Sequence, residues 1–257
     1  MILLCNGDSW TGGCSPAQNY NLDNTKTLDW YDIIPNFGYA HKITNPRSKN
    51  NYKYYESCLW PKVLGENLKV ETWNAGRSGT GNLSIASRTI ASVEYLKKLG
   101  KKDITVVVGW SSKYRIHILE YNNNTKKYGP HNIRPQHGGK VYKELLGEIN
   151  ENVFVNDWIE NILLLQNYLK LNNINYLFFN AFDYPVITKD NPLGHLVDDK
   201  NWVNGTIEED HFKNFILKEF NSTWESNDEY YELDHPTDIS HKAWGKYLTD
   251  YMLKNIL

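Results

Sequence analysis

Four short apolar runs, separated by longer stretches with helical periodicity, constrain the fold of this 257-residue chain more than any other feature. Near-continuous apolar character, clearest in the first and last runs, is typical of strands that helices cover on both faces. The runs are residues 2–5, 70–73, 104–108 and 176–179, and the helical patterns are residues 60–68, 83–99, 158–171 and 238–257. Strands that alternate with helices indicate βαβ units, so the sequence predicts an α/β fold with a mostly parallel sheet.

Two long segments without clear periodicity interrupt this pattern. They cover about residues 11–55 and 184–231, and both are rich in aromatic residues and asparagine. A chain in which 40% of the residues are hydrophobic can bury one substantial core, so we expect a single domain over residues 1–257 that carries these two insertions. Because ligands of open α/β sheets bind at the carboxyl ends of the strands, the insertions either roof the site there or only pack over the sheet.

Composition and charge exclude several classes of protein. A net charge of −2 gives no electrostatic reason to expect a nucleic-acid partner. Three cysteines without metal-type spacing argue against a disulfide framework and a zinc site, so we expect no metal and no cofactor. No stretch approaches the roughly 18 apolar residues of a membrane span. The apolar start is also too short for a signal peptide, which indicates a soluble, cytoplasmic protein without a membrane partner. The oligomeric state stays open.

The first apolar run leads directly into a turn that contains a serine. Residues 6–9 read Asn-Gly-Asp-Ser, and a turn at the end of a buried strand can expose the hydroxyl of Ser9. Such tripeptides commonly form turns and nothing more. A serine in this position becomes a nucleophile only when a base and an oxyanion hole are brought to it. The candidate base is His235, which precedes the closing helical pattern at the far end of the chain.

Four sequence blocks carry a resemblance to a known family. They are Asn6-Gly7-Asp8-Ser9, Asn74-x-Gly76-x-x-Gly79, Gly109-Trp110-Ser111 and His235-Pro236, and the first three follow predicted strands. In this order the blocks resemble those of SGNH/GDSL hydrolases, and the pattern of residues 58–68 resembles that family's first helix. The resemblance implies a flavodoxin-like three-layer α/β/α sandwich with a mostly parallel sheet of about five strands. It also implies ester or thioester hydrolysis through a serine acyl-enzyme.

The resemblance assigns an oxyanion hole as well as a nucleophile. Ser9 matches the nucleophile, and the backbone N–H groups of Ser9 and Gly76 match oxyanion donors. The family places an asparagine amide where this chain has Ser111, so this position departs from the pattern. A serine hydroxyl can donate a hydrogen bond, but it is shorter than an asparagine side chain and rotates freely.

More than one residue is a candidate for the general base and for its acid. His235 matches the family's general base, whose acid stands three residues earlier, at Glu232 in this chain. Asp234 directly precedes His235 and is the second candidate, since either carboxylate can orient an imidazole. Asp238 and His241 repeat the acid-to-base spacing and form a competing pair. Alternatively, His241 is a histidine on the face of the closing helix, and Asp238 favours the start of that helix.

Three further residues are candidates for substrate binding. Trp10 follows the serine, and Arg77 and Arg115 each stand just beyond a strand end, where a guanidinium binds a carboxylate, a phosphate or a surface acid. The resemblance thus implies a Ser-His-acid esterase. For its substrate we expect a small acyl ester, with an O-acetyl group on a carbohydrate as the first suggestion, because the insertions are rich in polar and aromatic residues. The alternative is a catalytically weak or inactive binding module of the same fold for a carbohydrate-like ligand.

Overall fold

The computed structural model describes residues 1–12, 41–42, 59–77, 79–122, 127–133, 151–182, 191–204, 211–221, 231–232 and 235–257, and the statements below concern these residues. Of Ser9, Glu151 and the strand residues 41–42, 116–122, 127–133 and 231–232, only the backbone is described. Residues 13–40 and 43–58, in and just after the first insertion, lie outside the described residues. So do residues 183–190, 205–210 and 222–230 in and around the second.

A five-stranded sheet forms the middle layer. The described residues contain strands of this sheet and of two smaller hairpins. In chain order they are β1 (Ile2–Asn6), β2 (His41–Lys42), β3 (Glu71–Asn74), β4 (Ile104–Trp110), β5 (Ile116–Asn122), β6 (Lys127–Ile133), β7 (Asn175–Asn180), β8 (Tyr231–Glu232) and β9 (His235–Pro236). The sheet has the order β2-β3-β1-β4-β7. β3, β1, β4 and β7 are parallel, and β2 pairs antiparallel with β3 at one edge. β5 pairs with β6, and β8 with β9, as separate antiparallel hairpins.

Helices form the two outer layers. They are α1 (Ser9–Gly12), α2 (Trp60–Leu68), α3 (Asn82–Lys98), α4 (Glu151–Leu171), α5 (Phe212–Phe220) and α6 (Asp238–Asn255). α3 and α4 pack together on one face of the sheet, and α2, α5 and α6 lie on the other. The predicted α/β/α sandwich with a mostly parallel sheet is therefore confirmed. Among the helices described, none has the length and apolar character that a membrane span requires.

The strands are apolar on both faces because each face meets a different helical layer. In β1, Ile2 and Leu4 join the core beneath α3 and α4, whereas Leu3 and Cys5 join the core beneath α2 and α6. All four side chains are buried. Successive side chains point to opposite faces, and both faces are buried. The first run is therefore continuously apolar and does not alternate between apolar and polar residues.

The fold differs from the sequence prediction in several places. α4 begins at Glu151 and not near residue 158, because the asparagines and the aspartate of its first two turns hide the helical pattern that Phe154 and Trp158 complete. The hairpin of β5 and β6 follows β4 in a region for which the sequence suggested no element. α5 lies inside the second insertion, where an irregular segment was expected.

Candidate active site

The turn after β1 is held by a buried aspartate. Asp8 is fully buried, and its Oδ1 accepts a hydrogen bond from the backbone N–H of Trp10 at 2.9 Å. The Asp8 carbonyl accepts from the N–H groups of Thr11 and Gly12 and so forms the short helix α1. Gly7 must be a glycine here, since an added Cβ would lie 2.2 Å from Thr11 Oγ1. These contacts place the backbone of Ser9 at the first position of α1, directly beyond the carboxyl end of a central strand.

The second oxygen of Asp8 joins the turn to the end of β4. Oδ2 accepts from Ser111 Oγ at 2.8 Å and from Arg115 Nη1 at 2.9 Å. The Arg115 guanidinium also donates to the Thr80 carbonyl at 3.3 Å and lies 5.0 Å from the ring centre of Phe182. A buried carboxylate needs such partners, because water no longer solvates its charge.

These contacts bear on the roles predicted for Ser111 and Arg115. The Ser111 hydroxyl already donates its single hydrogen to Asp8, and its backbone N–H donates to Asn82 Oδ1 at 2.9 Å. The Ser111 hydroxyl can therefore donate to an oxyanion only if it breaks its hydrogen bond to Asp8. Arg115 forms an ion pair in the interior, where its side chain is 11% exposed, and not the surface ion pair that the sequence suggested.

Gly76 stands where β3 approaches the serine turn. Its N–H donates to Asn74 Oδ1 at 2.8 Å, and Asn74 Nδ2 donates to the Thr11 carbonyl at 3.1 Å. A Cβ on Gly76 would lie 2.7 Å from the backbone nitrogen of Gly12, so a glycine is needed for this close approach. For the predicted oxyanion role, the Gly76 N–H must give up its hydrogen bond to Asn74 Oδ1 and donate to the oxyanion instead.

Trp10 lies in the core. It is 1% exposed, and its ring packs against Phe182 at 4.5 Å and against Phe212 of α5 at 5.3 Å between ring centres. The structure thus gives Trp10 a packing contact and leaves almost no surface for the substrate contact suggested by the sequence. The contact with Phe212 also brings part of the second insertion next to the serine turn. Arg77 follows Gly76, and its backbone N–H donates to the Gly7 carbonyl at 3.1 Å.

His235 lies beside the serine turn. It belongs to β9, and β9 contacts α1, whose first residue is Ser9. The register of the β8–β9 hairpin sets Glu232 directly opposite His235. Asp234, the other candidate acid, lies outside the described residues. The fold therefore brings together the backbone of the predicted nucleophile, the predicted base and one predicted acid, although they are far apart in the sequence.

The competing pair, Asp238 and His241, is not joined. Asp238 Oδ2 accepts from Lys242 Nζ at 3.2 Å, one helical turn along α6. His241 is 1% exposed, and its ring packs edge-on against Phe212 at 5.6 Å. Burial, together with the nearby charge of His235, lowers the pKa of His241 to about 3. A general base needs a pKa near the working pH, so His241 is poorly suited to this role.

Sequence reasoning missed the residues that support this site. The Thr80 hydroxyl donates to the Arg77 carbonyl at 2.8 Å and lies 3.2 Å from the Gly7 carbonyl. Asn82 Oδ1 accepts from the Ser111 N–H, and Asn82 Nδ2 donates to the Ser112 carbonyl. The sequence contains one indication of their role: Thr80 lies in a glycine-rich turn, and Asn82 is the first residue of α3. Polar residues at such positions bind nearby backbone groups, but the sequence does not show which groups those are.

Several esterases of known structure are similar to this chain. One is an acetyl xylan esterase from the rumen bacterium Butyrivibrio proteoclasticus, with 13% identity, a TM-score of 0.47, and coverage of 98% of this chain and 63% of that one. Another is a carbohydrate esterase family 2 enzyme from Corynascus thermopiles that also has a carbohydrate-binding domain, with 12% identity, a TM-score of 0.44 and coverage of 99% and 66%. A psychrotrophic esterase from Pseudoalteromonas sp. gives 12% identity, a TM-score of 0.43 and coverage of 99% and 95%.

No protein-family model and no curated protein sequence matches this chain. At the identities given above, the likeness to the esterase structures concerns the fold alone. The roles of individual residues therefore rest on the contacts of this chain.

Proposed function

We propose that this protein is a serine ester hydrolase in which Ser9 is the nucleophile and His235 the general base. The observation that carries the proposal is the contact of α1 with β9 at the carboxyl end of β1, because it sets the serine turn against the histidine strand. A base within reach of a serine hydroxyl removes its proton as the oxygen attacks the ester carbonyl, and an acyl-enzyme forms. The protonated His235 then donates to the leaving alcohol, and water releases the acid by the reverse sequence.

Glu232 is the acid that we assign to His235. Residues directly opposite one another in an antiparallel pair are the positions at which side chains interact across strands. The register of β8 and β9 places Glu232 and His235 in this relation. A carboxylate there holds the imidazole in the required tautomer and stabilises the imidazolium that forms during acylation. Asp234 remains the alternative acid.

The oxyanion hole would draw on three donors. We assign the backbone N–H groups of Ser9 and Gly76 and the hydroxyl of Ser111, as the sequence resemblance implies. In the structure, Gly76 and Ser111 donate to Asn74 and Asp8. Each therefore exchanges a hydrogen bond when the tetrahedral intermediate forms. A preorganised donor contributes roughly 3–4 kcal/mol to the stabilisation of a transition state, and the exchange reduces that contribution.

The same two hydrogen bonds support a second candidate function. If Gly76 and Ser111 keep their internal partners, the site has few oxyanion donors and the protein binds an acylated ligand with little or no turnover. The two functions differ in one measurable property, the covalent reactivity of Ser9.

For the substrate, we propose a small acyl ester, with an O-acetyl group on a carbohydrate as the first class to test. The proposal rests on the tyrosine, tryptophan and asparagine residues of the two insertions, which suit the faces and hydroxyl groups of sugars. We further propose that the insertions roof the serine, because each follows the carboxyl end of a predicted strand. The contact of Phe212 with Trp10 supports this for α5.

The test is active-site labelling followed by kinetics. We expect a fluorophosphonate probe to label the protein at Ser9 and p-nitrophenyl acetate to be hydrolysed. Ser9→Ala should abolish both signals, and His235→Ala should lower acylation by orders of magnitude. Ser87→Ala, an exposed serine of α3, is the matched control and should behave as the native protein. Full labelling of Ser9→Ala would show that the nucleophile is misassigned. Ligand binding without labelling would favour the binding module.

A further inference from the structure

Arg88 is a partly buried cation beside the candidate active site that the proposed mechanism does not use. It lies on α3, and its Nη1 donates to the carbonyl of Ala75 at 3.1 Å. Ala75 follows β3 directly and precedes Gly76, the residue that touches the serine turn. The guanidinium therefore stands at the same end of the sheet as Ser9. Within the described part of the chain, no carboxylate forms an ion pair with Arg88.

A second arginine, Arg77, follows closely in the chain. Arg77 stands two residues after Ala75. Its backbone N–H donates to the Gly7 carbonyl, and its carbonyl accepts a hydrogen bond from Thr80 Oγ1. Burial and the charge of Arg77 lower the pKa of Arg88 to about 10. This effect of the Arg77 charge agrees with the short separation of the two residues around Ala75. An anion beside two neighbouring guanidinium groups is attracted by both charges.

We propose that Arg77 and Arg88 form a subsite for an anionic group, a carboxylate or a phosphate, on the ester substrate; the inference rests on the proposed function. Guanidinium groups bind the paired oxygens of these anions through two parallel hydrogen bonds, and Arg88 has donors beyond the one used by Ala75. The site would thus select an acylated acidic sugar over its neutral counterpart. The sequence assigned Arg77 to substrate binding, but Arg88, inside a helix, gave no such signal.

The experiment compares three acetyl esters on one sugar scaffold. Acetylated glucose is the neutral member, acetylated glucuronate carries a carboxylate, and acetylated glucose 6-phosphate carries a phosphate. We expect the native protein to show a kcat/KM for one anionic ester that exceeds the neutral value by roughly ten- to one-hundredfold, the range of a charge-assisted hydrogen bond. The two anionic esters separate the carboxylate from the phosphate. Equal kcat/KM values for all three esters would overturn the proposal.

Substitutions of the two arginines test whether they cause the preference for an anionic ester. Arg88→Gln and Arg77→Gln should each remove most of the ratio of anionic to neutral kcat/KM, and Arg88→Lys should retain part of it. Lys98→Gln removes one positive charge from the exposed far end of the same helix, α3, and should keep the native ratio. Circular dichroism melting checks that each variant folds. If Arg88→Gln does not fold, Arg88→Lys and Arg77→Gln decide the question. A native ratio in both would contradict the proposal.

A binding measurement separates this inference from the proposed function. Isothermal titration with glucuronate, glucose 6-phosphate and glucose needs no turnover. If no ester is hydrolysed and Ser9 is not labelled, the proposed function fails. Preferential binding of one anion that Arg77→Gln weakens would then still support the subsite. Equal binding of all three sugars, or none, together with no preference among the esters, would overturn it.

Discussion

Among individual residues, His241 shows how burial changes what an ionisable side chain does. It lies in the first turn of α6, and its Nδ1 has no hydrogen-bond partner within the described part of the chain. Burial and the charge of His235 lower its pKa from 6.5 to about 3 in the folded protein. In the unfolded chain the imidazole is solvated and has its ordinary pKa. Between these two pKa values the unfolded state binds more protons than the folded state.

The stability of the protein should therefore fall as the pH falls through this window. The contribution of His241 is fully present above pH 6.5 and is lost progressively towards about pH 3. The slope for one proton is at most about 1.4 kcal/mol per pH unit. We expect urea unfolding between pH 7.5 and 4 to show a steeper loss for the native protein than for His241→Leu, which lacks the titrating group. Parallel curves for the two proteins would contradict the assignment.

The sequence indicated which polar residues gather at the strand ends, but not how they pair. Asp8 and Ser111 were both singled out, yet their hydrogen bond joins residues far apart in the chain. Such a bond depends on the register of β1 against β4, which local patterns do not specify. The approach of His235 to the serine turn had a different signal, the order of the sequence blocks.

Among the elements, the strongly apolar ones were predicted well and the weakly patterned ones were not. The prediction for α2 agrees with Trp60–Leu68, because Trp60 and Leu64 define its buried face. The hairpin of β5 and β6 contains a proline, Pro130, and several polar residues, so its sequence lacks the signal of a strand. The two strands pair with each other, and the pattern of a single strand does not reveal such pairing.

The packing of α2 against α6 depends on a glycine within a helix. A Cβ on Gly245 would lie 2.7 Å from Val63 Cβ and 3.2 Å from the Trp60 carbonyl oxygen. Glycine normally weakens a helix by about 1 kcal/mol relative to alanine, so substitution would be stabilising if space were available. At this position the clash outweighs the gain in helix propensity, because the interior is close-packed.

We therefore expect Gly245→Ala to lower the free energy of unfolding by about 1–3 kcal/mol, the usual cost of overpacking. Urea denaturation followed by circular dichroism measures the change. Ser87→Ala, at an exposed position of α3, makes a similar gain in propensity without a clash and should be neutral or slightly stabilising. A Gly245→Ala variant as stable as the native protein would show that α2 and α6 separate easily.

In the whole molecule, two cores share a single sheet. One core includes Ile162 of α4 and the other Leu248 of α6, and both side chains are fully buried. Every central strand contributes to both cores, since its side chains alternate between the faces. Loss of packing on one face therefore weakens the layer on which the other face depends. We expect the two cores to unfold together and not as separate units.

Substitutions on the two faces test this coupling. Ile162→Ala and Leu248→Ala should each lower the free energy of unfolding by about 2–5 kcal/mol. In each variant, the transitions followed by tryptophan fluorescence and by far-ultraviolet circular dichroism should coincide. Leu164→Ala and Leu253→Ala remove partly exposed leucines from the same two helices and should cost much less. Separate transitions in either core variant would indicate two independent units.

The last strand of the sheet, β7, has a consequence for the behaviour of the protein at high concentration. Its outer side is partly covered, because Trp202 forms a bridge with Phe178 and the N–H of Val203 donates to the Phe178 carbonyl at 2.9 Å. Tyr251 Oη donates to the Trp202 carbonyl at 2.7 Å and so ties this segment to α6. Backbone groups that would otherwise recruit a strand from another molecule are thereby occupied within the chain. The segment at residues 202–203 thus protects the sheet against edge-to-edge aggregation.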